Sequence, residues 1–109
     1  MQTAYGEGQY TQGDIRCHGR IIVDTYKLYL QGPQGELTQS FVSLDKICRL
    51  QKGRTQVTID VRLSQANQYR VALKMEPIYI KDLIEDLVRK LNLKKKWLRP
   101  VWVGEVISP

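Results

Sequence analysis

Apolar and polar positions alternate with period two from about residue 14 to residue 75. Ile15, Cys17, Gly19, Ile21 and Val23 alternate with Arg16, His18, Arg20 and Asp24, and only Ile22 interrupts the polar side. Tyr26, Leu28 and Leu30 alternate with Lys27, Tyr29 and Gln31 after a turn at Asp24 and Thr25. Strict alternation places one set of side chains on a core and the other in water, the pattern of a half-buried strand. Gly32, Pro33 and Gly35 break the chain, because glycine accepts positive φ and proline presets its own. Residues 37–44 predict a third strand, and Ile47, Cys48 and Leu50 a short fourth. Val57, Ile59, Val61 and Leu63 alternate with Thr58, Asp60, Arg62 and Ser64. Tyr69, Val71, Leu73 and Met75 do the same with Arg70, Ala72 and Lys74. Six or seven short strands joined by tight turns predict an antiparallel meander.

The period changes after Pro77. Ile80, Leu83, Ile84, Leu87, Val88 and Leu91 recur at helical spacing, with Lys81, Asp82, Glu85, Asp86, Arg89 and Lys90 on the other side. This predicts an amphipathic helix with one apolar stripe. Proline fits its first turn, where a missing N–H costs nothing. Arg89 and Lys90 suit the negative end of the helix dipole, and Asn92 is a plausible stop. The stripe must dock on the sheet, because burying it contributes on the scale of a small domain's whole stability.

At 109 residues there is room for one core. Residues 1–13 are polar and rich in Gly, Gln and Tyr, without the basic-then-apolar pattern of a secretory signal, and read as a flexible N-terminal arm. Residues 14–93 form the domain, and residues 94–109 a basic-aromatic tail. That tail is too apolar for a linker, and packs back as another strand or begins a neighbouring region. Its apolar runs, like those elsewhere, fall far short of the ~20 residues of a transmembrane helix. Cys17 and Cys48 are too few for a disulfide framework and fit buried free thiols in a cytoplasmic protein.

Charge is unevenly distributed. The net charge is +6, and residues 89–99 carry Arg89, Lys90, Lys94, Lys95, Lys96 and Arg99 with no acid. Residues 1–88 are nearly neutral. Long-range attraction to phosphate-rich surfaces therefore belongs mainly to the end of the helix and the chain beyond it.

Strands first and one helix last is the element order of the pleckstrin-homology superfold. Residues Gly19 to Leu30 resemble the first hairpin of its GRAM branch, in particular the PH-GRAM domain of myotubularins. Residues Phe41 to Ile47 resemble the next signature of that branch, and Val57 to Asp60 and Tyr69 to Lys74 its last two strands. The resemblance covers about residues 15–92. It implies a mainly β domain: a PH-like barrel or sandwich of about seven antiparallel strands in two nearly orthogonal sheets, capped by the helix. It also implies an intracellular adaptor or binding module. The phosphatase that follows the domain in myotubularins is absent from this chain.

Lipid-binding relatives grip inositol phosphates with cations on the first two strands. Arg16, Arg20 and Lys27 are the corresponding candidates, although Tyr29 stands where a second cation of strand two is usual. The second candidate is the cluster Lys94, Lys95, Lys96, Trp97 and Arg99, which mixes cations with an indole as peripheral membrane anchors do. The expected ligand is an anionic lipid surface or phosphoinositide, with a protein partner, or a scaffold role in a larger assembly, as the alternative. Nucleic acid is disfavoured, since no RNP motif or basic-aromatic alternation is present. With one histidine, two distant cysteines and no phosphate-binding glycine loop, no catalytic residue, metal site or cofactor is expected.

Overall fold

The computed structural model of the chain describes residues 2–96 and 98–104. Its described residues form nine strands and one helix: β1 (Thr3–Gln12), β2 (Ile15–Val23), β3 (Lys27–Gly32), β4 (Gly35–Ser43), β5 (Ile47–Lys52), β6 (Gln56–Ser64), β7 (Asn67–Met75), α1 (Pro77–Leu91), β8 (Lys94–Lys95) and β9 (Val101–Val103). The strands make one open antiparallel sheet in the order β4-β3-β2-β1-β7-β6-β5-β9-β8. Ile21, Leu28, Leu30, Val42, Leu50, Ile59, Val71 and Leu73 all belong to one buried cluster. Both halves of the sheet therefore supply the same core, and the sheet must curl around it. The Tyr10 hydroxyl, which donates to Gln12 Oε1 at 2.6 Å, also lies 3.4 Å from the Phe41 carbonyl oxygen and so brings β1 close to the β4 edge.

Residues 3–12 are not a loose arm. They form β1, an interior strand of the sheet, paired to β2 on one side and β7 on the other. The inward positions of β1 are Tyr5, Gly8 and Tyr10, all buried. Tyr5 and Tyr10 can share the core despite their odd spacing because the register slips by one residue between Ala4 and Glu7. Gly6 lies in that bulge at φ +85°, with the Tyr79 ring of α1 packed where a Cβ would stand. At Gly8 a Cβ would fall 2.7 Å from the Lys74 carbonyl oxygen, so the close approach of β1 to β7 requires glycine there.

The helix spans the expected residues. It opens on Pro77 and ends on Asn92 in the left-handed region, whose N–H donates to Val88 O. Ile80, Leu83, Ile84 and Leu87 are buried, and Val88 and Leu91 pack partly against the same cluster. The Tyr5 hydroxyl donates to the Asp86 carboxylate, fastening β1 to the helix.

The tail turns back after the helix as a hairpin. Lys94 and Lys95 pair with Val103 and Trp102, and β9 pairs with β5. Leu93 and Val101 are buried, and Trp102 packs partly against the core. The sheet thus gains two strands beyond the expected seven. β1 joins both halves by hydrogen bonds, where the resemblance implies two separate sheets.

Candidate functional site

The first set of expected cations is dispersed along β2 and β3. Arg16 and Arg20 are four residues apart on one strand, roughly 13 Å. Arg20 lies in a cross-strand row between Glu7 and Gln31, so a carboxylate stands directly opposite it on β1. Lys27 is engaged further along. Its Nζ lies 2.6 Å from Glu36 Oε1 and over the rings of Tyr29 and Phe41, 5.2 and 5.8 Å from their centroids. The hydrogen bond to Glu36 raises the ammonium's pKa. The rings beneath it cover an apolar patch on the outer side of the sheet, where Tyr29 and Ile22 are both only 6% exposed. The cleft of about 370 Å³ beside Arg20 contains Glu7 and His18 with it, and neither Arg16 nor Lys27. These three cations do not converge.

The second set lies on the β8–β9 hairpin. Lys94, Lys95, Lys96 and Arg99 are all exposed. Lys94 opposes Val103, Lys95 opposes Trp102, and the Lys96 N–H donates to Val101 O at 2.8 Å. Alternation along the ribbon therefore puts Lys94 and Lys96 on its outer face and Lys95 on the other. At the tip, the Arg99 N–H donates to Lys96 O, and Leu98 adopts φ +59° with 83% of its surface exposed. Trp97, the remaining residue of this set, lies outside the described residues.

Pairing brings further cations beside this hairpin. Val103 opposes Arg49 on β5, Arg49 opposes Asp60 on β6, and Asp60 opposes Arg70 on β7. One row of the outer face thus reads Lys94, Val103, Arg49, Asp60, Arg70. The neighbouring row runs from Val101 through Gln51, Thr58, Ala72 and Thr11 to Arg16. Arg62 lies beside the first row, and Lys74 beside the second. Asp60, its side chain only 18% exposed, is held by Arg70 Nε at 2.8 Å and Arg49 Nη1 at 3.5 Å. Its carboxylate raises the pKa of Arg70. Gln68 fixes Arg62: with its amide oxygen facing β6 it accepts from Arg62 Nε at 2.9 Å and Nη2 at 2.8 Å.

Sequence reasoning passed over Arg49, Arg62, Arg70 and Lys74 because each is only the polar half of an alternating strand. Their convergence shows once the polar positions of β5, β6 and β7 are set in register. Many of the acids lie elsewhere: Asp82, Glu85 and Asp86 are all on α1. No protein-family model and no curated protein matches this chain.

Proposed function

We propose that this chain is a non-catalytic recruitment module with a PH/GRAM-like fold, cytoplasmic and membrane-peripheral, that docks on anionic lipid surfaces. Seven strands followed by a helix that buries its stripe in their common core support the fold. The observation that carries the function is the β8–β9 hairpin, where an exposed leucine at the tip shares one short ribbon with the exposed cations Lys94, Lys95, Lys96 and Arg99. An exposed apolar tip on a basic ribbon suits the lipid headgroup boundary: the leucine enters it while the cations meet phosphate. Each cation contributes about 1 kcal/mol near an anionic bilayer, and a leucine up to ~1.5–3 kcal/mol when buried. The sum, on the order of 5 kcal/mol, corresponds to weak, reversible and salt-sensitive binding.

Sedimentation with phosphatidylserine vesicles tests this. Binding is expected to fall with salt and to be lost when Lys94, Lys95 and Lys96 are replaced by Glu. Leu98→Asp, at a solvent-exposed position, weakens it without affecting the fold. Undiminished binding in both variants removes the reading.

The free edge of β4 favours a second reading. Phe41 is exposed beside that edge, and an open strand can accept a partner's strand. A protein partner held there would bind independently of the hairpin lysines and persist at high salt.

A further inference from the structure

The outer face contains a cleft of about 590 Å³ at the base of the β8–β9 hairpin, within the ~300–1,000 Å³ range of small-molecule sites. Four cations line it from four parts of the chain: Lys46 from the short turn before β5, Arg49 from β5, Arg62 from β6 and Lys96 from the hairpin. We infer that this cleft is a phosphomonoester site. The inference rests on the membrane reading only for the source of the ligand, a lipid headgroup.

Charge complementarity selects the ligand class. Asp45 and Asp60 also line the cleft, so the walls carry four positive charges against two negative. A phosphomonoester carries about −1.5 to −2 at neutral pH and balances the excess of two. A carboxylate or phosphodiester carries one charge and leaves the excess half met. The carboxylate of Asp60 is already occupied, since Arg70 binds it from outside the cleft at 2.8 Å. Among the described residues, no acid lies within ion-pair distance of Lys46, Arg62 or Lys96. Their charges are therefore available to a ligand.

The donors are also oriented. With its amide oxygen turned to β6, Gln68 accepts from Arg62 Nε and Nη2 and orients the guanidinium, which lowers the entropy lost when an anion binds. An extra residue at Cys48 shifts the β5–β6 register between Ile47 and Arg49, and the thiol contacts Asp60 O at 3.4 Å. Gly104 closes the wall, its N–H donating to Cys48 O at 3.0 Å. Lys96 belongs to both the hairpin and the cleft. A headgroup phosphate held here would therefore contact the same hairpin whose tip enters the bilayer.

The test uses the full chain and four probes, the last a phosphoserine peptide. Vesicles with phosphatidic acid present a phosphomonoester, and vesicles with phosphatidylserine present a phosphodiester and a carboxylate with an ammonium that offsets one of the two charges. Glycerol 3-phosphate is the soluble phosphomonoester. Wild-type protein is expected to favour phosphatidic acid about tenfold, the worth of one charged hydrogen bond. Arg62→Gln and Lys46→Gln, both at exposed positions, are each expected to remove that preference while keeping binding to phosphatidylserine. Glycerol 3-phosphate should shift the amide resonances of Cys48, Arg49, Arg62 and Gly104. Equal binding to both vesicles, or a preference that survives both substitutions, overturns the phosphate site and leaves the membrane reading standing. Shifts at the cleft without binding to either vesicle uphold the site for a soluble ligand and remove the membrane reading. Tight binding of a phosphoserine peptide with no preference between vesicles overturns the headgroup assignment.

Discussion

Asp60 is the acid that interrupts the basic row of the outer face, so its replacement should strengthen the attraction instead of weakening it. Asp60→Asn keeps the shape of the side chain, and an amide oxygen can still accept from Arg70 Nε. The substitution removes one negative charge and frees Arg49 and Arg70 from a carboxylate at 3.5 and 2.8 Å. The face gains one unit of positive charge. Near an anionic bilayer that unit is worth about 1 kcal/mol, or roughly fivefold in the partition coefficient. The gain should shrink as salt rises, because the Debye length falls from ~10 Å at 0.1 M to ~3 Å at 1 M. Vesicle sedimentation across a salt series measures the effect, with circular dichroism to establish that the variant is folded. Lys27→Gln serves as the comparison. Lys27 stands on β3, outside the hairpin and the basic row, and its loss should change binding less than the loss of a hairpin lysine. A folded Asp60→Asn variant that binds no more tightly, or gains equally on uncharged vesicles, refutes the electrostatic reasoning.

Other consequences concern the scaffold. Leu87 is fully buried, and Leu87→Ala should cost about 2–5 kcal/mol, seen as a lower urea midpoint at unchanged slope. Gly8→Ala should destabilise by about 1–3 kcal/mol, because the new methyl meets the Lys74 carbonyl as well as the flexible Ile21 side chain; a variant as stable as wild type contradicts the close β1–β7 approach. Burial, and for Tyr5 also the Asp86 hydrogen bond, holds Tyr5 and Tyr10 well above the usual tyrosine pKa. In the unfolded chain they ionise near pH 10, so this contribution to stability is complete below about pH 10 and lost as pH rises above it. An ultraviolet difference titration should show these two of the six tyrosines, together with Tyr69, whose pKa burial also raises, resisting ionisation.

Much of the scaffold is legible in the chain. Period two marks β2, β3, β6 and β7, and the Asp24 turn behaves as expected: its carboxylate accepts from the N–H groups of Tyr26 and Lys27. The helix is readable from its first proline to its terminal asparagine. β1 is not, for a physical reason. Its core positions are two tyrosines with a glycine between them, and the bulge at Gly6 breaks the parity that alternation depends on. A strand that must sit closely between two others uses glycines, and glycines read as looseness. The tail shows apolar residues suited to a strand, but nothing local says that β5 is its partner. The candidate site is hidden for the same reason. Lys94, Lys95 and Lys96 are adjacent in sequence and conspicuous, yet the ribbon separates Lys95 from the other two. Arg49 and Arg62 are inconspicuous, and only tertiary pairing brings them to Lys96.

The most direct measurement is paramagnetic broadening of backbone amides by a spin label carried on lipid in anionic bicelles. The expected result is broadening that peaks at Lys96, Leu98 and Arg99 and extends to Arg49 and Arg62, with the exposed face of α1 around Asp82 and Glu85 untouched. Broadening centred on that helix face or on the β2–β3 turn around Tyr26, or none at any amide, contradicts docking through the hairpin and the basic sheet face.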